Sequence, residues 1–168
     1  MRWYFQRHPD FSDGKIDLYP LRDPGNDPAL GFRRVLEWKI CVSGSRQEIG
    51  RVTYRTGEGR GIYYFGHIGY HVDPPWRGNH YALRACLLIR DVIQRSGKSS
   101  VIITCDPDND ASRKTCEALG CLKECVTDVD RELQEKYDIS ARKIRYIWKL
   151  QGREEAHVRG GEGNPNLL

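Results

Sequence analysis

The chain has 168 residues and a mass of 19.4 kDa, a length that suits one domain and supports a core without disulfide or metal staples. Its 27 basic and 23 acidic residues leave a net charge of +4 and a pI near 8.7, short of the balance above about pI 9 expected of a dedicated nucleic-acid domain. Apolar runs are too short for a membrane span, and the residues after Met1 lack a secretory apolar stretch, so a cytoplasmic protein without a membrane partner is expected.

The first thirty-four residues are broken by Pro9, Gly14, Pro20, Pro24, Gly25 and Pro28, and carry one short alternating strand near Ile16, Leu18 and Leu21. Val35–Val42 and Ile49–Thr56 flank Ser43-Gly44-Ser45 and read as a hairpin. After the turn Gly57–Gly61, Ile62–Val72 reads as one further strand rich in aromatics. The period then changes. Ala82, Ala85, Cys86, Ile89, Val92 and Ile93 follow helical spacing up to a stop at Gly97. Val101–Thr104 is a continuous apolar run, the pattern of a buried strand. A second helix fits Ala111–Leu119, and closing strands fit Cys121–Val126 and Ile144–Leu150, with a polar stretch between them that admits a helical turn. Past Gln151 the chain is Gly-rich and polar. The expected organisation is therefore a domain over 1–150, a disordered tail over 151–168, and no repeat or second core.

The passage from Gly66 to Cys105 predicts a parallel, right-handed crossover, so the fold class is a mixed, mostly antiparallel α/β sheet with flanking helices. That topology places Asp73–Asn79 between a strand's carboxyl end and a helix's amino end, where open sheets bind ligands and free N–H groups attract phosphate. Pro74 and Pro75 end the strand, Gly78 allows close backbone approach, Arg77 adds charge, and small Ala82 lets the turn lie near a neighbour. A pyrophosphate suits these parts; an ordinary strand–helix turn with a surface arginine explains the segment equally well. Asn109 and the Asp residues around it are natural helix caps. The six cysteines (Cys41, Cys86, Cys105, Cys116, Cys121 and Cys125) form no C-x-x-C pair and have no His at zinc spacing, so free thiols and no metal are expected.

Taken together, the two segments resemble the GNAT superfamily of N-acetyltransferases. That signature places Arg or Gln three residues before a Gly and five before a Gly or Ala, at the head of the helix after the fourth strand; Arg77, His80 and Ala82 stand at those positions. Asn109, Ser112, Gly120 and Cys121 match the family's second motif, and Gly66-His67-Ile68-Gly69-Tyr70 looks like the fourth strand of a bacterial subgroup. The likeness covers roughly 35–150. It implies a sheet splayed between its fourth and fifth strands, the acyl-CoA N-acyltransferase fold, with acetyl-CoA in the opening. The pantetheine arm would pair with backbone at Tyr70, His71 and Val72. The pyrophosphate would sit on the N–H groups of Arg77, Gly78, Asn79, His80, Tyr81 and Ala82, and Asn109 with Ser112 would line the thioester end.

Three departures from the family shape the expectations. His80 replaces the usual Gly, a change tolerated if that turn is right-handed. Cys116 stands where many members carry the Tyr that protonates the departing thiolate, and reads either as that acid or as a buried structural cysteine. The family's two early helices are nearly missing between Leu21 and Val35. Some members place a Glu base where His67 stands; His67, Gly69 and His71 share a face by alternation, which makes His67 a base or a sheet histidine. Tyr63, Tyr64 and Tyr70 are expected in sheet packing. The implied activity is acetyl transfer from acetyl-CoA to an amine acceptor, the alternative being a non-catalytic CoA-binding or regulatory module. A nucleic-acid partner ranks low, and a homodimer is compatible with the family's paired sheets.

Overall fold

The computed structural model describes residues 8–21 and 28–150; the expected tail over 151–168 lies outside the described residues. Eight strands form one sheet: β1 (Phe11–Ser12), β2 (Ile16–Pro20), β3 (Phe32–Val42), β4 (Glu48–Gly57), β5 (Ile68–Val72), β6 (Ser100–Cys105), β7 (Leu122–Asp128) and β8 (Arg142–Lys149). Their spatial order is β1-β2-β3-β4-β5-β6-β8-β7, and every neighbouring pair is antiparallel except β5–β6. The foreseen hairpin is β3–β4. Its turn is anchored by buried Asp17, whose carboxylate accepts from Ser43 Oγ and Gly44 N–H at 3.0 Å each. Burial raises the Asp17 pKa, but these donors and Ser12 outweigh it and hold the carboxyl below its usual range.

Helix α2 (Tyr81–Arg95) crosses one face of the sheet. Ala85, Cys86, Ile89 and Ile93, all fully buried, pack with Val52, Tyr54, Ile68 and Ile103 in the main core. Each such isoleucine contributes roughly 1.5–3 kcal/mol of burial. Tyr54 Oη pairs at 2.5 Å with Ser96 Oγ at the helix end, and α3 (Asp110–Ala118) joins α2 on this face through Ser112 and Cys116.

The single strand expected over Ile62–Val72 is instead a short helix, α1 (Arg60–Phe65), followed by β5. Gly66 makes the break: its φ is +72°, and a Cβ there would lie 2.8 Å from Ile102 O. Over six residues an aromatic run satisfies either period, and tertiary packing decides. Tyr64 turns away from the main core and packs with Leu30, Val129 and Leu133, while Thr104 Oγ1 donates to its carbonyl at 3.0 Å. Contrary to the single core expected, a small second cluster thus covers the opposite face, together with α4 (Arg131–Tyr137), the polar stretch's helical turn. No described helix is long and apolar enough to cross a membrane.

The consequence for function lies between β5 and β6. They share one partner pair, Ile68↔Ile103, whereas β6 and β8 share six. Beyond that pair the two halves of the sheet part. This is the split foreseen between the fourth and fifth strands, shifted by one because the two-residue β1 precedes them.

Candidate functional site

A cavity of about 700 Å³ occupies the split and reaches both faces of the sheet. Strand alternation decides which β5 backbone groups open into it. Arg51↔His71 and Thr53↔Gly69 lie in phase with the bonds Arg55 N–H to His67 O (2.7 Å) and Asp73 N–H to Ile49 O (2.9 Å), so odd-numbered residues bond to β4. The main chains of Tyr70 and Val72 face the split instead. His71, expected to pair with an incoming arm, has its backbone committed to β4. Arg77 Nε donates to Val72 O at 2.9 Å and so ties the loop to the strand.

At the head of α2 the helix offers its free amides to the same cavity. The first helical bond runs from Arg84 N–H to His80 O, so Tyr81, Ala82 and Leu83 precede any helical acceptor. The N-cap, His80, makes no side-chain capping bond, and the first turn holds no acidic residue. Positive partial charge therefore stands open beside Arg77 and His80. The expected right-handed turn at His80 is corrected: φ is +58° and ψ +24°, left-handed geometry that favours glycine and that histidine tolerates better than most residues. Arg77, Gly78, His80, Tyr81 and Ala82 line the cavity. Asn79 does not; its Nδ2 donates to Trp76 O at 3.0 Å.

Opposite, α3 brings Asn109 and Ser112 to the wall. Asn109 is the N-cap, its Oδ1 accepting from Ser112 N–H at 3.0 Å. Tyr70, expected in packing, projects its hydroxyl across the split to Ser112 Oγ, 2.8 Å away. Cys116 lies behind it, 3.8 Å from that hydroxyl, fully buried and absent from the cavity wall. The hydrogen bond to Cys121 and burial push its thiol far above the ordinary range, so it stays protonated, and it is its place behind Tyr70, off the wall, that keeps it from donating into the cavity. Burial likewise raises Tyr70, so the phenol stays protonated.

His67 is also off the wall. Its N–H donates to Ile102 O (2.8 Å) and its Nδ1 accepts from Ile102 N–H (3.0 Å), a two-point clasp on β6. Burial, with the charges of Lys98 and Arg145, lowers its pKa to about 4. The ring is neutral with Nδ1 occupied, so the lone pair a base needs is already spent; both assignments, base at His67 and acid at Cys116, give way to this geometry.

The remaining wall was not legible in the sequence. Arg55, Tyr64, Phe65, Gly69, Asp106 and Lys143 line the face away from α2. Asp106 is bonded to Lys143 Nζ and Ser140 Oγ; burial raises its pKa, but these two donors prevail and keep it ionised below the usual range. Burial lowers the Arg55 pKa against the charge of Glu37. His71 shares this face, its Nε2 lying 3.0 Å from Asp73 Oδ1; a carboxylate only accepts, so this contact is a hydrogen bond when Nε2 carries a proton, and it turns Nδ1 away from Asp73. Among the described residues, no group of three or more His, Cys, Asp or Glu could hold a metal ion.

A family model described as an acetyltransferase (GNAT) domain matches residues 4–122. Among solved structures, the microcin C7 self-immunity acetyltransferase MccE, in complex with acetyl-CoA and AMP, is similar at 20% identity and a TM-score of 0.52, over 68% of this chain and 61% of its own. The ribosomal-protein-S5-alanine acetyltransferase from Vibrio fischeri is similar at 22% and 0.52, over 68% of this chain and 64% of its own. A protein of proposed acetyltransferase function reaches 0.58 at 18%, over 86% and 88%. The chain thus spans less than two thirds of the first two, and at these identities the likeness is one of fold. No curated protein matches the sequence.

Proposed function

We propose, from the premise that the chain belongs to the acetyltransferase (GNAT) domain family, that it is an acetyl-CoA-dependent N-acetyltransferase. The observation that carries the reading is the cavity in the split sheet, with the Tyr70 backbone and the Val72 N–H facing it on one side and the uncapped head of α2 on the other. The pantetheine arm takes the Tyr70 and Val72 backbone. The pyrophosphate takes the amides from Gly78 to Ala82, with Arg77 beside it and Asn109 and Ser112 across the cavity.

In the reaction the neutral amine nitrogen attacks the thioester carbonyl carbon, the C–S bond breaks, and CoA leaves as a thiolate. The backbone N–H facing the split polarises the carbonyl. His71, oriented by Asp73, takes the amine proton at Nδ1, directly or through water. Tyr70 Oη, held by Ser112, returns a proton to the thiolate. Holding both reactants in one cleft supplies much of the rate. The Gly66–Tyr70 likeness favours the bacterial subgroup, and a cytoplasmic setting suits a substrate pair of this kind. The test is acetyl-CoA turnover with an amine panel. Arg77→Glu raises the KM for acetyl-CoA at least tenfold, and His71→Ala lowers kcat by about 10²–10⁴. CoA binding without transfer to any amine would leave the non-catalytic module.

A further inference from the structure

On the face away from α2, Arg55 is a cation with unspent donors. Its Nη1 is buried and has no hydrogen-bond partner among the described residues. The guanidinium lies against Gly69, where a Cβ would come within 3.0 Å of both Nη1 and Nη2, and its Cζ stands 5.5 Å from the centre of the Phe32 ring. Glycine at position 69 is what lets the fork lie flat on β5. Glu37, the acidic neighbour, acts only through its charge and is engaged by Arg51 at 3.7 Å. A buried guanidinium donor left unbonded costs stability, and a cavity wall is where an incoming ligand can satisfy it.

Position fixes what that ligand is. Gly69 immediately precedes Tyr70, whose backbone opens into the split. The pyrophosphate end of the cavity, at the head of α2, is built from the other face. The fork therefore sits within a residue of the reacting carbonyl, on the side where no part of the CoA arm is placed, and a planar bidentate donor matches a carboxylate. We propose that Arg55 recognises a carboxylate on the acceptor, so that the substrate class is an amine bearing a carboxylate within a few bonds of its nitrogen. This rests on the acetyl-transfer reading for the amine, but the recognition of the anion can be tested apart from it.

The experiment compares matched acids and amides, glycine against glycinamide and glycylglutamate against glycylglutamine amide, on the full chain saturated with acetyl-CoA for turnover and with CoA for calorimetric binding. In both measurements the acid is expected to exceed its amide by about tenfold to a hundredfold, the range for a charged hydrogen bond. Arg55→Met collapses that ratio while the thermal shift produced by CoA persists; Arg55→Lys restores part of it. Gly69→Ala, which pushes the fork off the strand, weakens it independently. Equal binding of acid and amide, or a ratio unchanged in Arg55→Met, overturns the assignment whether or not turnover occurs. Discrimination in binding with no acetyl transfer overturns the enzymatic reading and leaves Arg55 as an anion site. A phosphate-bearing amine, phosphoethanolamine, bound tenfold better than the carboxylates also overturns the carboxylate class.

Discussion

At the level of single residues, the choice of the proposed proton donor turns on which group reaches the cavity wall. Cys116 has the position that family resemblance favours, yet it is fully buried and screened from the cavity by Tyr70. Tyr70 comes from the facing strand and reaches the same place from the other side, its hydroxyl fixed 2.8 Å from Ser112 Oγ. A donor to a leaving group acts in the transition state, so its loss lowers kcat with little change in the KM for acetyl-CoA. Tyr70→Phe is therefore expected to reduce kcat by about 10²-fold, and Cys116→Ala by less than about threefold, since the latter removes no atom from the wall. Steady-state kinetics at saturating acetyl-CoA separates the two. A Cys116→Ala defect as large as that of Tyr70→Phe would return the role to the thiol.

At the level of elements, His67 is the joint between the two half-sheets, because its ring and backbone both clasp Ile102 just before the strands part. Its pKa is lowered to about 4, first by burial and then by Lys98 and Arg145. The unfolded chain binds this proton near pH 6.5 and the folded one does not until about 4. Between those values the unfolded state holds more protons, so stability is complete above pH 6.5 and falls as the pH drops through the window, by up to about 3 kcal/mol. Urea unfolding from pH 7 to 4.5 measures it. His67→Asn, which keeps an acceptor for Ile102 N–H but does not titrate, is expected to flatten the slope; identical slopes would show that the loss arises elsewhere. The same joint explains what the sequence could and could not reveal. Hairpin β3–β4, helix α2 and strand β6 were legible because their period and turn residues agree with their final burial. Helix α1 was not, since Tyr63, Tyr64 and Phe65 fit either period until Gly66 and Ile102 meet. That the loop at the head of α2 lines the cavity was readable from Arg77 and Ala82, whereas Arg55, Asp106 and Lys143 enter the site from β4 and the ends of β6 and β8, positions with no local signal of convergence.

Across the whole molecule, the site is the seam between two half-sheets, β1–β5 and β6–β8, that share one strand partner pair. A ligand filling the seam bonds to the folded state alone. At about 100 times its dissociation constant it adds roughly 2.7 kcal/mol, which for a chain of this size raises the melting temperature by roughly 5–10 °C. Acetyl-CoA and CoA are expected to produce that shift, and ATP, which lacks the pantetheine arm, very little of it. Amide exchange then locates the bond. Alternation commits Gly69 and His71 to β4 and leaves Tyr70 and Val72 open, so CoA is expected to slow exchange at Tyr70 and Val72 by at least tenfold while Gly69 and His71, already protected, change little. Uniform protection across β5 would mean that the ligand only stiffens the seam. Slowing confined to the even residues would mean that it lies in the seam as a strand does, bonded to the backbone that the split leaves free.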